Sequence, residues 1–220
     1  MLSLEERKIR RKQLGASEIH KTLNFDTQEL QDLWELKVGM QDYIDLENDA
    51  IIAGNILEEP CLKFYENSNN VELICNERIE HKRIKGLVVS LDARTSQTSI
   101  PIENKVINEK TWKSWEAKRS FNAVYENIKL NIPKAYYCQV QIQMAVLDSE
   151  KAILNVNTLT DEEQTDPINV EINFLHNKQI EIIRNDDLIQ ELEKRAGYFL
   201  ECVRYKKRPS ELDYLESKVF

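Results

Sequence analysis

The sequence predicts a mixed α/β domain, with a central mixed sheet flanked by helices. Strand-like apolar runs occupy the middle of the chain and recur near its end. Segments with apolar residues at helical intervals precede and follow them. This order of strands and helices is typical of mixed α/β and α+β domains. The predicted strands are 71–81, two arms within 86–105, 151–159, 168–175 and 178–185.

Helical segments are predicted around these strands. The segment 15–25 reads as a helix start, with Ser17 as a candidate N-cap. In the segment 45–67, Pro60 interrupts a helical pattern and favours a kink or a restart, because proline removes a backbone hydrogen bond. The other helical segments are 111–132, which is partly irregular and ends at Pro133, then 135–149 and 186–208.

The composition is that of a folded domain. The 220 residues are 41% hydrophobic and 31% charged, and a chain of this length can bury a substantial core. Residues 1–15 are too charged for a secretory leader, and no apolar run approaches the length of a membrane span. We therefore expect a cytoplasmic protein of a bacterial or phage-infected cell, without a membrane partner.

Cysteine and histidine patterns disfavour a soft-metal site. The four cysteines and three histidines are scattered, without a C-x-x-C pair, so structural zinc, an iron–sulfur cluster and a disulfide framework are poorly supported. We expect four dispersed buried thiols. A metal bound here would be a hard cation held by carboxylates, Mg²⁺ or Mn²⁺. The cysteines are Cys61, Cys75, Cys138 and Cys202.

The net charge of −8 disfavours a passive nucleic-acid binder, which usually carries net positive charge. An enzyme with a carboxylate metal site and a local basic groove need not be basic overall. Two basic clusters are candidates for contact with phosphate, although most charge runs are simply solvated. They comprise Lys8, Arg10, Arg11 and Lys12 near the start, and Arg204, Lys206, Lys207 and Arg208 near the end.

Three charged residues lie on the apolar hairpin at 86–105. Alternation along a strand places Glu103 and Lys105 on one face, roughly 7 Å apart, and Asn104 on the other. Asp92 can reach the same face as Glu103 if the turn lies near 95–99. Two carboxylates would then hold a hard divalent cation at about 2.1 Å. Lys105 would orient an attacking water and stabilise charge on a phosphate.

The E-x-K pattern alone is not specific, and ordinary edge-strand charges are the alternative interpretation. Glu103 differs by its context, because it lies within an apolar strand-like run and an aspartate ends the preceding apolar run. The same pattern recurs at Glu6, Glu35, Glu80, Glu116 and Glu216.

The aspartate followed by E-x-K on a hairpin resembles the core motif of the PD-(D/E)XK nucleases, and its flanks resemble the YqaJ and phage lambda exonuclease branch. Further stretches are similar to that branch in the same order, from about residue 8 to 209. They are "RRKQLGASEIHKTL" at 10–23, "AGNILEE" at 53–59, "YYCQVQIQMAV" at 136–146 and "YFLECVRYKKRP" at 198–209. The resemblance implies a restriction-endonuclease-like core.

The resemblance also implies roles for individual residues. Asp92 and Glu103 would be metal ligands, the main-chain carbonyl of Asn104 a possible third, and Lys105 the catalytic lysine. Glu58 would add a carboxylate from a helix, completing a site for one or two ions. Without the resemblance, Glu58 is better interpreted as a solvated residue near a helix start.

Two further pairs of residues match the family. Arg10 and Ser17 match positions that bind a terminal 5′-phosphate, and Arg11 can replace Arg10 because the register is loose by one residue. Gln139 and Gln141 match a Q-V-Q pair, in which Gln141 would line the site near the metal or the nucleophilic water and Gln139 would support it. The alternative is that both glutamines bond to backbone or solvent.

The sequence departs from the family pattern at the hairpin, where "SLDART" replaces the usual proline–aspartate or aspartate–glycine. Asp92 is retained, so we expect the chemistry to persist although the turn around it differs from that of the family. We expect one nuclease domain over 1–220, comprising a helical DNA-end-binding segment (1–45), a catalytic core (46–150) and C-terminal strands with a helix (151–220).

The function implied is a magnesium-dependent 5′→3′ exonuclease on linear double-stranded DNA. Members of this branch form a ring of three and act beside a single-strand annealing protein in recombination. A ring would explain how an acidic protein stays on DNA. The alternatives are an endonuclease of restriction or defence on the same scaffold, and a non-catalytic DNA-binding relative.

Overall fold

The structure, a computed structural model, describes residues 3–44, 48–117 and 120–217. The N-terminal part places two helices and a short strand around a 3₁₀ helix at Ala16–Leu23. These elements are α1 (Leu4–Arg11), β1 (Leu14–Gly15) and α2 (Gln28–Val38). The expected boundary between residues 45 and 46 lies outside the described residues.

The middle of the chain contains a long helix and the predicted hairpin. α3 begins at Asp49, where the Asn48 side chain accepts a hydrogen bond from the backbone of Ile51, and it runs unbroken through Pro60. Residues 45–47 of the predicted helix lie outside the described residues. The elements are α3 (Asp49–Asn69), β2 (Leu73–Glu80), β3 (Leu87–Thr95), β4 (Pro101–Asn108) and α4 (Glu109–Glu116).

The C-terminal half adds a small hairpin, two long helices and two sheet strands. α5 and α7 follow the predicted patterns, since Val140, Met144, Leu192 and Phe199 are buried. The elements are β5 (Ala123–Tyr125), β6 (Ile128–Leu130), α5 (Lys134–Leu147), β7 (Lys151–Leu159), α6 (Asp161–Thr165), β8 (Asn177–Ile183), α7 (Asp186–Tyr205) and α8 (Glu211–Glu216).

Six strands form one mixed sheet in the order β1-β3-β4-β7-β8, with β2 on the other edge of β3. β1 with β3 and β4 with β7 are parallel pairs, and the other neighbours are antiparallel. The 3₁₀ helix, α2, α5 and α7 cover one face around β3. α3 packs on the opposite face against β4. β4 therefore lies between α5 and α3.

The predicted strand at 168–175 is wrong. This segment contains a short 3₁₀ helix at Pro167–Asn169 and then no regular structure. Its alternating pattern has another cause, because Val170 and Ile172 pack against the buried cluster of Leu57, Cys61 and Leu159 without joining the sheet as a strand.

Smaller expectations are also corrected. Ser17 lies inside the 3₁₀ helix instead of capping it, and the Glu18 carboxylate accepts the hydrogen bond from the backbone of Gly15. Cys75 is exposed, unlike the other three cysteines, and all four thiols are free. No helix in the described ranges is both long and apolar enough to cross a membrane.

Candidate active site

The candidate site lies where one edge of β3 changes partner. β2 occupies the other edge along the length of β3. The near edge pairs with β1 at Leu87 and Val88, and with β4 only at Ala93 and Arg94. β3 and β4 therefore separate at Asp92, and the Asp92 carboxylate accepts the hydrogen bond from the Asn104 backbone N–H at 2.8 Å. A side chain thus replaces the sheet ladder at this point.

The partner strand is also irregular beside Asp92. β2 pairs with β3 on both sides of Asn76, but Asn76 itself is absent from the ladder and has φ 58. Its place in the register is opposite Asp92. Asparagine tolerates this left-handed backbone conformation better than most residues. Asp92 consequently lies in a local break of the sheet on both edges.

Glu103 is the centre of a buried cluster. Its side chain is 1% exposed and forms an ion pair with the Lys105 ammonium. Gln139 Nε2 donates to Glu103 Oε1 at 2.7 Å, and Gln143 Nε2 donates to Oε2 at 2.5 Å. Lys105 also lies over the ring of Tyr136, 5.3 Å from its centroid. Both oxygens of Glu103 are therefore held by fixed donors.

Gln141 lies outside this cluster, and the expectation that it lines the site is wrong. Its Nε2 donates to the carbonyl of Ile183 at 2.9 Å, and its Oε1 accepts from the backbone N–H of Asn185 at 2.8 Å. The helix presents Gln139 and Gln143, four residues apart, to β4. Gln141 points instead to the end of β8, which it joins to the start of α7.

The charges at the site are strongly coupled. Burial and, after it, the nearby Glu103 carboxylate together raise the pKa of the Asp92 carboxyl to about 7. Burial lowers the pKa of Lys105, but the Glu103 and Asp92 carboxylates outweigh that effect, so its pKa lies above the usual value. Two buried carboxylates beside one ammonium leave an excess of negative charge that favours a cation.

The donor set suits a hard divalent cation. Asp92 and Glu103 offer carboxylate oxygens, and the backbone of Asn104, the residue between Glu103 and Lys105, offers a carbonyl oxygen. In the described residues, Asp92 Oδ1 has no hydrogen-bond donor, because the Asn104 N–H uses Oδ2. These residues therefore fit Mg²⁺ or Mn²⁺.

Glu58 is not brought into this group. Its charge contributes to the raised pKa of Asp92, so it lies on the same side of the sheet break. Within the ranges that the structure describes, however, no three His, Cys, Asp or Glu side chains converge closely enough to hold a metal. The structure brings together Asp92, Glu103 and Lys105 and leaves Glu58 at the periphery.

The Asn104 side chain points to the opposite face of β4, as the alternation predicts. Its Oδ1 accepts from Asn155 Nδ2 at 2.9 Å and from Asn157 Nδ2 at 3.1 Å, and Asn177 donates to both of these residues. The four side chains are buried. This asparagine ladder links β4, β7 and β8 directly behind the carboxylate cluster and fixes the strand that carries it.

A small basic cavity of about 140 Å³ is lined by residues of β1, β2 and β3. Arg10 and Ser17 both line it, as do Arg78 and Ser90. Tyr43 also lines it, and its hydroxyl is buried without a hydrogen-bond partner among the described residues. We call this cavity the end-binding cavity, after the 5′-phosphate role that the family resemblance implies for Arg10 and Ser17. Two guanidinium groups and two serine hydroxyls line it, together with the ion pair of Lys37 and Glu18.

Arg11 does not reach the end-binding cavity. Its guanidinium donates to the Asp42 carboxylate at 2.7 Å and to the carbonyl of Gln41 at 3.2 Å. The sequence left open whether Arg10 or Arg11 accompanies Ser17. In the structure Arg10 lines the cavity with Ser17, and Arg11 lies elsewhere.

Three residues at these sites were missed from the sequence. Gln143 follows Gln139 by one helical turn, so an i, i+4 pair of glutamines in a buried helix was the available signal. Ser90 precedes Asp92 by two residues and shares its side of the strand. No sequence pattern singled out Arg78 as a site residue, because its place beside Ser90 depends on the pairing of β2 with β3.

Comparison with known proteins gives matches to one kind of nuclease. A family model described as the YqaJ-like viral recombinase domain matches residues 7–152. The crystal structure of an alkaline exonuclease from Laribacter hongkongensis superposes with a TM-score of 0.66 at 21% identity, covering 97% of this chain and 96% of that chain. A structure of the same exonuclease in complex with dAMP matches equally well.

A phage related exonuclease from Haemophilus somnus 129PT is also similar. It superposes with a TM-score of 0.62 at 14% identity, covering 88% of this chain and 96% of that chain. A search of curated protein sequences gives no match. The structural likenesses confirm the predicted fold class, a mixed sheet flanked by helices.

Proposed function

Because the chain belongs to the YqaJ-like viral recombinase family, we propose that it is a metal-dependent exonuclease that degrades linear double-stranded DNA from the 5′ end. The observation that carries this proposal is the carboxylate and lysine cluster at the edge of β3, beside the end-binding cavity. Asp92 follows the cavity residue Ser90 by two strand positions, about 7 Å along β3. Neighbouring phosphates of one DNA strand are separated by a comparable distance.

The two sites have complementary tasks in this proposal. Arg10, Arg78, Ser17 and Ser90 bind the terminal 5′-phosphate, and the next phosphodiester then lies at Asp92 and Glu103. Guanidinium groups suit this task because their N–H groups pair with phosphate oxygens in fixed geometry. The cavity, with its volume of about 140 Å³, has room for a phosphate. This arrangement would measure the distance from the end to the bond that is cut.

Lys105 acts directly on the reacting groups, whereas the glutamines act on them through Glu103. Lys105 donates to the attacking water and stabilises negative charge on the phosphate. Gln139 and Gln143 keep both Glu103 oxygens in place, so that little reorganisation accompanies the reaction. One or two Mg²⁺ or Mn²⁺ ions, held by Asp92, Glu103 and the Asn104 carbonyl, would supply Lewis-acid stabilisation and lower the pKa of a bound water.

The proposed setting follows from family membership. We expect a single nuclease domain that assembles as a ring of three, acts beside a single-strand annealing protein in recombination, and works in the cytoplasm of a bacterial or phage-infected cell. Light scattering during gel filtration tests the assembly. A trimer mass supports the ring, whereas an active monomer excludes it.

Digestion of linear and closed circular duplex DNA tests the proposed activity. The linear DNA carries a 5′-phosphate or a 5′-hydroxyl, and each reaction contains Mg²⁺ or EDTA. We expect loss of linear DNA only, in Mg²⁺ only, with a preference for the 5′-phosphate that Arg10→Gln abolishes. Arg11→Gln is the matched control and should retain the preference.

The circular substrate distinguishes the competing functions. Cutting of the closed circle would show an endonuclease on the same scaffold. Absence of cutting on both substrates, by a protein that still binds DNA, would show a non-catalytic relative.

A further inference from the structure

A second basic cavity, of about 780 Å³, lies beside α1 on a face that Arg10 does not share. On a helix, Lys8, Arg11 and Lys12 fall on one face by their spacing of three and four residues. The other cationic lining residues come from distant parts of the chain. They are Lys37 on α2, Lys85 in the loop before β3, and Arg204 and Lys206 at the end of α7.

Gly86 explains why these segments meet. It has φ 94, and a Cβ at this position would lie 3.0 Å from the carbonyl oxygen of Lys12 and 3.3 Å from Leu200 Cδ2. Its own carbonyl accepts the hydrogen bond from the Leu14 N–H at 2.8 Å. The end of α1, the loop and α7 are thus in direct contact through one glycine, so the convergence of their charges belongs to the fold.

Most of these cations have no counter-charge. Arg11 is paired with Asp42 and Lys37 with Glu18. Within the described residues, the remaining five have no carboxylate within ion-pair distance, and the acid beside them, Glu80, accepts from the Gly86 N–H. Five unpaired cations around one cavity, in a chain of net charge −8, are complementary to a polyanion.

The cavity lining is also partly apolar, with side chains from Ile9, Val38, Leu200 and Val203. Cationic and apolar side chains around one cavity suit single-stranded DNA, because its phosphates bind the cations while exposed bases and sugars cover apolar surface. A duplex would offer mainly its phosphates, since its bases are stacked inside.

The cavity adjoins the site proposed for the 5′ end. Gln13 and Lys37 line both cavities, and α1 supplies Arg10 to one and Lys8, Arg11 and Lys12 to the other. We propose that the 780 Å³ cavity binds single-stranded DNA next to the end-binding cavity. This inference rests on the proposed function for its ligand, but binding there requires no cleavage.

The test measures binding without cleavage. The full chain is titrated in EDTA against a fluorescent oligothymidylate of about 15 nucleotides and against a blunt duplex, with fluorescence anisotropy as the readout. The cavity variant is Lys85→Gln with Arg204→Gln, two exposed residues without described partners. The control is Lys113→Gln with Lys151→Gln, which removes equal charge from exposed lysines outside the cavity.

We expect the cavity variant to bind the oligothymidylate about tenfold more weakly at moderate salt. Its slope of log affinity against log salt should fall by about 1.4, which is two contacts at about 0.7 each. The control should match the wild type. Equal loss in the control, no loss in the cavity variant, or loss confined to the duplex would overturn the inference.

A competition experiment tests whether the cavity binds an acidic peptide, the other polyanion that its cationic lining suits. Displacement of the oligothymidylate by polyglutamate at lower concentration than by unlabelled oligothymidylate would assign the cavity to an acidic peptide and overturn the inference. If the protein shows the expected binding loss but never cuts DNA, the proposed function fails and the single-strand site stands.

Discussion

At the scale of single residues, the chemistry depends on how Glu103 is held. Its carboxylate is 1% exposed and meets three donors, from Lys105, Gln139 and Gln143. A buried charge is stable only when its oxygens are paired, and hydrogen bonds to charged groups contribute about 1.5–3 kcal/mol each. The glutamines of α5 are therefore part of the site although neither of them carries a charge.

We predict that Gln143→Leu lowers the initial cleavage rate about tenfold, because Glu103 Oε2 loses its donor. It should also weaken Mn²⁺ binding, measured by calorimetry. The control is Gln141→Leu, the same substitution two residues earlier on the same buried helix. It should lower thermal stability and leave the rate per folded molecule unchanged. A larger rate loss in Gln141→Leu than in Gln143→Leu would contradict this assignment.

The charged residues of the site could be predicted from the sequence, but the glutamines that hydrogen-bond to Glu103 could be predicted only in part. Asp92, Glu103 and Lys105 are unusual within apolar strands, and alternation places Glu103 and Lys105 on one face. The choice between Gln141 and Gln143 could not be made in that way. It depends on the rotation of α5 against β4, which is set by packing of residues far apart in the chain.

At the scale of elements, periodic segments were predicted and non-periodic ones were not. α5, α7, β7 and β8 follow long apolar patterns. The hairpin of β5 and β6 was missed because its strands have three residues each, too few for a periodic signal. The segment 168–175 shows the converse error, because alternation also arises where a loop packs two side chains onto a helix and strand.

Two glycines provide a matched test of backbone requirements. Gly54 lies in α3, and a Cβ there would meet nothing within 4 Å. Gly54→Ala should therefore stabilise the protein by about 0.5–1 kcal/mol, because alanine favours the helix. Gly86→Ala should destabilise it, because φ 94 and the close Lys12 carbonyl both disfavour a side chain. Urea denaturation measures both. If both substitutions changed the free energy of unfolding by the same amount in the same direction, the placement of these residues would be contradicted.

At the scale of the whole molecule, the C-terminal segment closes onto the N-terminal one. Arg195 on α7 donates to both carboxylate oxygens of Glu211, at 2.9 and 2.7 Å, and to the carbonyl of Thr22. The Phe25 backbone N–H also donates to Glu211. Three separate segments thus share one partly buried ion pair.

This ion pair predicts a pH dependence of stability. The hydrogen bond from Arg195 holds the pKa of Glu211 below its ordinary value of 4.5. A lowered carboxyl pKa contributes stability above the unfolded-state pKa, and this stability is lost as pH falls through the folded-state pKa. Glu211→Gln should lower Tm by a few degrees at pH 7, with a smaller difference below about pH 4. A Tm difference that grows in acid would contradict the pairing.

The distribution of charge over the molecule also follows from the fold. Basic residues near both ends of the chain, separated by almost the whole sequence, line one cavity beside α1. The composition alone shows a net charge of −8 and suggests repulsion from DNA. The topology concentrates cations around this cavity, so local charge and net charge differ in sign.

The most direct test of a nuclease centre at Asp92 and Glu103 is release of label from a linear duplex with a labelled 5′-phosphate at one end. Wild type is compared with Asp92→Asn, which keeps the side-chain shape, and with the exposed control Asp161→Asn. We expect labelled mononucleotide from wild type and control in Mg²⁺ alone, and release at least 100-fold slower from Asp92→Asn, since one carboxylate supplies several kcal/mol of metal-assisted stabilisation. Wild-type release by folded Asp92→Asn would contradict the account.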